Sequence, residues 1–298
     1  MINREKDRIR RWLKQNLKSA PLPTSIKEAR TNLEGLSSWV PLQPDTKVEP
    51  VMAGGVPGEW VSAPGAAADA VILCFHGGGY TMGSSKATQV NASFLSAASG
   101  CRALVIDYRL APEHPFPAAL EDTIVAYRWL LEQGIPHSRI ILVGFSAGGG
   151  LALSTLVSLR DAHVPLPAGA VLISPWTDLA GTGESVVTRA EADPWLTDEM
   201  NRYHAALYAG GKDLRHPLIS PLYADMQGLP PLLIHVGSDE IMLDDSRRVA
   251  ERAKAAGVEV TLEVWEGLWH VFHAFAYRLA EGKQAIEKIG QFIRMKLR

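Results

Sequence analysis

The chain has 298 residues, of which 47% are apolar and 21% charged, and its formal net charge is -2. This composition excludes a disordered or fibrous chain, and a near-zero charge without a basic run offers no surface for nucleic acid. No apolar run approaches the roughly 20 residues of a membrane-spanning helix, so we expect a soluble chain with no stable membrane insertion. The length suits one large α/β domain with an insertion.

The N-terminal segment is charged over residues 1–8, where a secretion signal would turn apolar, and this favours a cytoplasmic location. Residues 4–17 carry apolar side chains at helical spacing and predict an amphipathic helix that packs against the rest of the chain. These side chains are Ile9, Trp12, Leu13 and Leu17. A membrane-surface helix is the alternative, but Glu5 and Asp7 interrupt its positive face.

From residue 47 onwards, short apolar runs alternate with helical patterns. The predicted strands are residues 71–75, 103–107, 140–143, 170–173, 232–236 and 258–265. The predicted helices are residues 118–133, 149–161, 198–208, 245–256 and 284–296. Buried strands separated by crossover helices predict an α/β fold, with a mostly parallel central sheet covered by helices on both faces. The long stretch between Ile173 and Leu232 breaks the alternation and predicts an inserted subdomain or lid.

The two cysteines, Cys74 and Cys101, lie in or beside apolar strand-like runs. Buried free thiols are therefore favoured over a disulfide. Neither cysteine belongs to a Cys-x-x-Cys or Cys-His pattern, so the sequence predicts no metal site and no cofactor.

The candidate nucleophile is Ser146, in the run Gly-Phe-Ser-Ala-Gly at residues 144–148. A predicted strand precedes this run and a predicted helix follows it, which is the context that a Gly-x-Ser-x-Gly nucleophile elbow requires. Small residues are needed on either side because the serine backbone is strained and lies close to its neighbours. A glycine-rich turn with an incidental serine is the alternative.

Residues 76–80, His-Gly-Gly-Gly-Tyr, directly follow the predicted strand 71–75. Attack on an ester places negative charge on the carbonyl oxygen, and preorganised backbone N–H groups stabilise such a charge. We expect the donors to be Gly77, Gly78 and Ala147, with His76 shaping the loop. A phosphate-binding loop does not fit, because no Gly-x-Gly-x-x-Gly opens a helix and no Gly-Lys-Ser/Thr follows.

A serine nucleophile needs a histidine base and a carboxylate that orients the histidine, in the chain order serine, acid, histidine. Asp239, just past the predicted strand 232–236, is the first choice for the acid, and the adjacent Glu240 is its competitor. Asp244 and Asp245 are expected to cap the following helix.

His270 lies near the end of the last predicted strand and is the preferred base, ahead of His273. His235 lies within a predicted strand and is expected to be a core histidine with satisfied hydrogen bonds.

With these residues assembled, the chain resembles the hormone-sensitive-lipase-like branch of the α/β-hydrolase superfamily, the bacterial family IV carboxylesterases. The similarity covers about two thirds of the chain. It is carried by His-Gly-Gly-Gly at 76–79, Asp-Tyr-Arg-Leu-Ala-Pro-Glu-His-Pro-Phe-Pro-Ala-Ala at 107–119, the elbow at 144–149, Gly-Ser-Asp at 237–239 and His-Val-Phe at 270–272. The 107–119 segment is specific to that branch and is expected to shape the active-site wall.

The resemblance implies an α/β-hydrolase fold with a helical cap. The cap would comprise residues 1–45 and 178–222, and the catalytic domain residues 46–177 and 223–298. It further implies a triad of Ser146, Asp239 and His270, hydrolysis of esters with short or medium acyl chains, and a homodimer through the last strand.

Three residues in two segments depart from the family pattern. Phe145 stands where an acidic residue is common and Gly150 where an asparagine is common, within the elbow segment. Val271 replaces the usual glycine after the histidine. None of these residues is a reacting group, so the resemblance supports the family's reaction in this chain more strongly than the family's substrate preference.

The expected function is a serine carboxylesterase acting on a small-molecule ester through a covalent acyl-enzyme. The expected pocket wall consists of Tyr80, Trp176, Trp195 and Phe272. A non-catalytic receptor on the same scaffold, as in the plant gibberellin receptors, is an alternative, but those proteins have lost the histidine that is present here. An amidase or a lactonase would use the same triad.

Overall fold

The structure is a computed structural model that describes residues 4–20, 25–37 and 40–297. Parts of the predicted N-terminal segment and cap, at residues 1–3, 21–24 and 38–39, lie outside the described residues. None of the helices in the described ranges is both long and apolar enough to cross a membrane.

Eight strands form one sheet in the described chain. In chain order they are β1 (Lys47–Ala53), β2 (Val56–Ser62), β3 (Ala67–Phe75), β4 (Cys101–Ile106), β5 (Ile140–Phe145), β6 (Gly169–Ile173), β7 (Leu232–Gly237) and β8 (Val260–Trp265). Their order across the sheet is β1-β2-β4-β3-β5-β6-β7-β8. The six strands β3 to β8 run parallel to one another. At one edge, β1 and β2 form an antiparallel hairpin, and β2 pairs antiparallel with β4. The six predicted strands and the mostly parallel sheet are therefore confirmed.

Nine α-helices accompany the sheet within the described ranges. They are α1 (Arg4–Leu13), α2 (Ile26–Ser37), α3 (Ser85–Ser99), α4 (Ala118–Glu132), α5 (Ala147–Asp161), α6 (Ser185–Thr188), α7 (Asp198–Ala209), α8 (Leu243–Ala255) and α9 (Ala280–Lys296). The predicted helices correspond to α4, α5, α7, α8 and α9. The predicted N-terminal helix is α1, continued by a π-helical turn at Lys14–Lys18.

The sheet is buried on both faces, as its uninterrupted apolar strands predict. Along β3, Val71, Leu73 and Phe75 face α4, α5 and α8, whereas Ile72 and Cys74 face α3 and α9. This alternation places one hydrophobic layer on each side of the sheet. Cys74 and Cys101 are buried free thiols, as expected.

Sequence patterns did not predict β1, β2 or α3. The strands β1 and β2 lie at the sheet edge, where half-exposed positions and Pro50 weaken the apolar signal. The Gly54-Gly55 turn between them was the available hairpin signal. Helix α3 is rich in serine and alanine, so its apolar stripe is narrow.

Residues 174–231 lie between β6 and β7 and contain α6 and α7, in agreement with an insertion after β6. At the opposite edge from the hairpin, β8 has one strand neighbour. The homodimer through this last strand stays a prediction.

Candidate active site

Ser146 occupies the sharp turn between β5 and α5. Its backbone has φ +55° and ψ −119°, a conformation that costs energy for a non-glycine residue. The turn is held because the Ser146 N–H donates to Ile173 O at 2.8 Å and Ser146 O accepts from Gly149 N at 2.8 Å. The side chain therefore lies at the carboxyl end of the sheet, where parallel α/β sheets bind ligands.

Two positions after Ser146 require glycine, because the backbone of another segment lies too close to leave room for a side chain. A Cβ at Gly148 would lie 2.2 Å from Phe75 O, and a Cβ at Gly150 would lie 2.0 Å from Trp176 O. Real Cβ atoms do not approach backbone oxygens so closely. The departure at Gly150 thus has a local reason, because any side chain there would displace the segment that follows β6.

The glycine loop after β3 lies beside the nucleophile. A Cβ at Gly77 would lie 3.3 Å from Ser146 Cβ. Among the residues that the structure describes, none accepts a hydrogen bond from the amide N–H of Gly77, Gly78 or Ala147. Ala147 begins α5, so its N–H has no partner within the helix. Three backbone donors near Ser146 are therefore available to a ligand.

His76 and Tyr108 form the back of this loop. Their rings stack with centroids 4.0 Å apart, and the Tyr108 hydroxyl donates to His76 O at 2.8 Å. His76 Nδ1 lies 2.8 Å from Gly77 O. The 107–119 segment therefore fixes the glycine loop from behind, and burial lowers the pKa of His76 to about 4, which keeps it neutral.

Glu240 is the carboxylate that contacts His270. Glu240 Oε2 lies 2.9 Å from His270 Nδ1, and both side chains are almost fully buried. The other oxygen, Oε1, accepts from Gly237 N at 2.6 Å and from the Ser174 hydroxyl at 2.7 Å. Because a carboxylate accepts hydrogen bonds, Nδ1 carries the proton and Nε2 is left as the acceptor.

Asp239, the first choice from the sequence, does not lie on His270. Its carboxylate pairs with Arg10 Nη2 at 2.7 Å, and its backbone N–H donates to Leu268 O. The predicted contact between Asp239 and His270 is therefore wrong, and Glu240 makes this contact instead. The turn after β7 directs Asp239 outwards to α1, and the next residue, Glu240, has the longer side chain that reaches His270.

Ser174, which sequence reasoning missed, links the acid to the backbone after the histidine. Its hydroxyl donates to Glu240 and accepts from Val271 N at 3.0 Å. Val271 has φ +49°, an unusual value for a β-branched residue. The available signal was the position of Ser174, directly after the carboxyl end of β6.

The remaining acidic candidates bind the insertion rather than the helix that follows them. Asp245 Oδ2 accepts from the N–H of Thr177 and of Asp178, and Asp244 Oδ2 accepts from Ser185 N at 2.8 Å. No side-chain hydrogen bond caps α8. The expected capping role is therefore wrong, and both carboxylates hold the segment after β6.

His273, the alternative base, forms a buried pair with His235. His235 Nδ1 lies 3.1 Å from His273 Nε2. His235 is a core histidine as expected, although its Nε2 has no hydrogen-bond partner in the described residues. Burial lowers the pKa of His235 to about 3.

Ser146 and His270 line one cavity of about 870 Å³. Apolar side chains from the N-terminal helices also line it, including Ile9, Leu13 and Leu33. Of the four expected wall residues, Trp176 and Trp195 line the cavity.

The other two expected wall residues lie behind the wall. Tyr80 stacks on Tyr208 with centroids 3.7 Å apart, and Phe272 packs against Trp265 and His273. Both are almost fully buried, so the aromatic type alone did not distinguish a wall residue from a core residue.

The buried histidines predict a loss of stability at low pH. Burial lowers the pKa of His76 and His204 to about 4 and that of His235 to about 3. Below about pH 6.5 the unfolded chain binds protons that the folded chain does not, so the free energy of unfolding falls as the pH falls towards these values. Asp245 acts in the opposite direction, because burial raises its pKa to about 7.

We expect His235→Gln to flatten this dependence, with about 1–2 kcal/mol less stability lost between pH 7.5 and 5 than in the parent chain. Urea unfolding at the two pH values measures the difference. His114→Gln, at an exposed histidine, is the control and should keep the parent slope. If the free energy of unfolding changed equally with pH in the parent chain and both variants, the lowered pKa of His235 would be contradicted.

Known proteins match this chain over the segment that contains Ser146, Glu240 and His270. The family whose profile matches residues 72–274 has the α/β hydrolase fold. An acetyl-hydrolase of Streptomyces hygroscopicus is 47% identical over 82% of this chain and 81% of its own length. An esterase of Acinetobacter venetianus is 37% identical over 88% of this chain and 87% of its own. The crystal structure of an esterase from the bacterial hormone-sensitive lipase family superposes with a TM-score of 0.97, at 49% identity and with 100% of both chains covered.

Proposed function

The chain belongs to the bacterial hormone-sensitive-lipase family of α/β-hydrolase-fold carboxylic ester hydrolases, and from that membership we propose that it cleaves short- to medium-chain esters with Ser146, His270 and Glu240. The observation that carries the proposal is the buried hydrogen bond from His270 Nδ1 to Glu240, in a cavity that Ser146 also lines. Each group has one role. Ser146 is the nucleophile, His270 the base and then the acid, and Glu240 the residue that orients His270.

In the first step, Ser146 Oγ attacks the ester carbonyl and His270 Nε2 takes its proton. The tetrahedral anion accepts hydrogen bonds from the unpaired amides of Gly77, Gly78 and Ala147. His270 then gives the proton to the leaving alcohol, and the acyl group stays on Ser146 as an ester.

In the second step, His270 takes a proton from water, which attacks the acyl-enzyme carbonyl. The bond from the carbonyl carbon to Ser146 Oγ then breaks, His270 returns the proton to Ser146 Oγ, and the acid is released. The carboxylate of Glu240 stabilises the imidazolium that forms in each step. Two further hydrogen bonds, from Ser174 and Gly237, hold this carboxylate in place within the buried site.

The cavity supports an apolar substrate. Its lining combines the reacting groups with Trp176, Trp195 and aliphatic side chains of the N-terminal helices. We assign the helical cap to residues 1–45 and 178–222 and the catalytic domain to the remainder, since α1, α2 and α7 contribute to this lining. The cap then limits the acyl chain that fits.

The test is a series of p-nitrophenyl esters with acyl chains from acetate to palmitate. We expect kcat/KM to be highest for short or medium chains and to fall by at least about 10-fold for the longest, because side chains of α1, α2 and α7 bound the cavity and limit the length of an extended acyl chain. Initial rates measure the series.

The matched butyryl anilide and a butyrolactone separate the amidase and lactonase alternatives. Faster cleavage of either than of the ester would overturn the assignment of substrate class. A receptor would show tight ligand binding with no hydrolysis of any ester, but His270 and its acid are present and joined.

A further inference from the structure

A second buried carboxylate lies beside the reacting groups. Asp193 belongs to the loop between α6 and α7, and its side chain is fully buried. The carboxylate accepts three backbone hydrogen bonds, from Trp195 N and Leu196 N at 2.9 Å and from Ile241 N at 3.0 Å. Within the described ranges it forms no ion pair with a lysine or arginine. A buried carboxylate without a cationic partner costs free energy unless hydrogen bonds or a nearby positive charge compensate for its lost hydration.

The three hydrogen bonds of Asp193 connect it to the proposed acid and base. Ile241 directly follows Glu240, so Asp193 holds the backbone that carries the acid. Trp195, whose N–H donates to the other oxygen, packs edge-to-face with His270, with ring centroids 5.8 Å apart and planes at 80°. One carboxylate of the insertion therefore contacts the elements on both sides of the Glu240–His270 pair.

The titratable groups around His270 come from four elements. Glu240 lies on the turn after β7, Asp193 on the insertion, and the neutral pair His235 and His273 on β7 and on the turn before α9. Burial raises the pKa of Asp193, and its attraction to His270 and its backbone hydrogen bonds oppose that rise. Two cations contact this part of the insertion: Arg10 donates to Ala192 O and pairs with Asp239, and Lys18 Nζ donates to Asp193 O at 2.6 Å.

We propose that Asp193 is a positioning residue for ester hydrolysis: it fixes Glu240 and Trp195 around His270, and its negative charge stabilises the imidazolium. This rests on the proposed function, in which His270 alternates between neutral and charged forms. The same contacts join residues of the proposed cap to the acid, so the placement of the cap and the placement of the acid depend on one side chain.

The test replaces Asp193 with asparagine, which keeps the size but removes the charge and one acceptor. We expect kcat to fall roughly 10–100-fold and KM to change much less, because the reacting groups are misplaced, whereas Asp193 holds only Trp195 and Leu196 of the cavity lining. The acid limb of the pH profile of kcat/KM should also move to lower pH, by about 0.5–1 pH unit, because a cation at His270 loses a favourable charge.

The matched control is Asp245→Asn. Asp245 is also a fully buried carboxylate that accepts backbone hydrogen bonds from the insertion, at Thr177 and Asp178, but none of its hydrogen bonds reaches the acid or the base. Its variant should keep the parent acid limb. Asp193→Glu, which retains the charge, should return the acid limb to the parent position even if kcat stays reduced.

If Asp193→Asn does not fold, Asp193→Ser supplies an uncharged acceptor and the same displacement of the acid limb is expected. An acid limb that is unmoved in the uncharged variants, or moved equally by Asp245→Asn, overturns the proposal. Failure of the proposed function is distinct, because the parent chain would then hydrolyse no ester, or Glu240→Gln would leave kcat unchanged.

Discussion

Ser146→Ala is expected to lower kcat for p-nitrophenyl butyrate by about 10⁶-fold, the scale of nucleophile loss in serine hydrolases. The strained turn between β5 and α5 presents one hydroxyl to the cavity, and alanine leaves His270 with no alcohol to activate. KM should change little, because the cavity wall and the three amide donors remain. Initial rates measure the loss, and mass spectrometry after treatment with an organophosphate should show a labelled parent chain and an unlabelled variant.

The control is Ser154→Ala, on the same helix. Ser154 is buried and donates to Leu218 O at 3.1 Å, away from the cavity. Its variant should keep hydrolysis within about 10-fold of the parent, since one buried hydrogen bond is worth about 1 kcal/mol of stability. Full hydrolysis by Ser146→Ala, or labelling at another residue, would refute the assignment of the nucleophile.

Glu240→Gln is expected to lower kcat by about 10³–10⁴-fold, the loss seen when the orienting carboxylate of a triad becomes an amide. The amide nitrogen cannot accept from His270, Ser174 or Gly237, all of which contact Glu240 in the folded chain. The histidine then loses both its orientation and the charge that stabilises its protonated form. The kcat of the purified variant, with its thermal unfolding as a folding check, measures the effect.

Asp239→Asn is the matched control, because it changes the adjacent carboxylate in the same way. Asp239 pairs with Arg10 and is part-exposed, and such pairs contribute about 0–1 kcal/mol to stability. Its kcat should stay within about 10-fold of the parent. A large loss in Asp239→Asn together with a near-normal Glu240→Gln would restore the acid that the sequence favoured.

These predictions separate two adjacent residues that sequence reasoning could not separate. Chain order and position past β7 are shared by Asp239 and Glu240, and both are carboxylates. The choice depends on the turn after β7, where Asp239 N donates to Leu268 O and its side chain reaches Arg10 on α1. Arg10 is 229 residues away along the chain, and no local pattern indicates that it is the partner.

Contacts between distant segments also account for the other differences between the sequence predictions and the structure. Ser174 and Asp193 act through hydrogen bonds to residues that are distant in sequence, at Glu240 and Ile241. Tyr80 and Phe272 have the residue type of a pocket wall, but the packing of Tyr208 and Trp265 covers them. The burial of Tyr80 and Phe272 depends on which helices and strands pack against them in the fold, so it could not be inferred from the residue type alone.

The sequence by itself determined the six strands from β3 to β8, their parallel order and the place of Ser146, because these depend on local signals. Apolar runs, crossover helices and a glycine-flanked serine act within a few residues of one another. The tertiary structure alone decided which carboxylate meets His270, which aromatic rings line the cavity and how the insertion reaches the acid. These depend on contacts between segments that only the folded chain brings within hydrogen-bond distance.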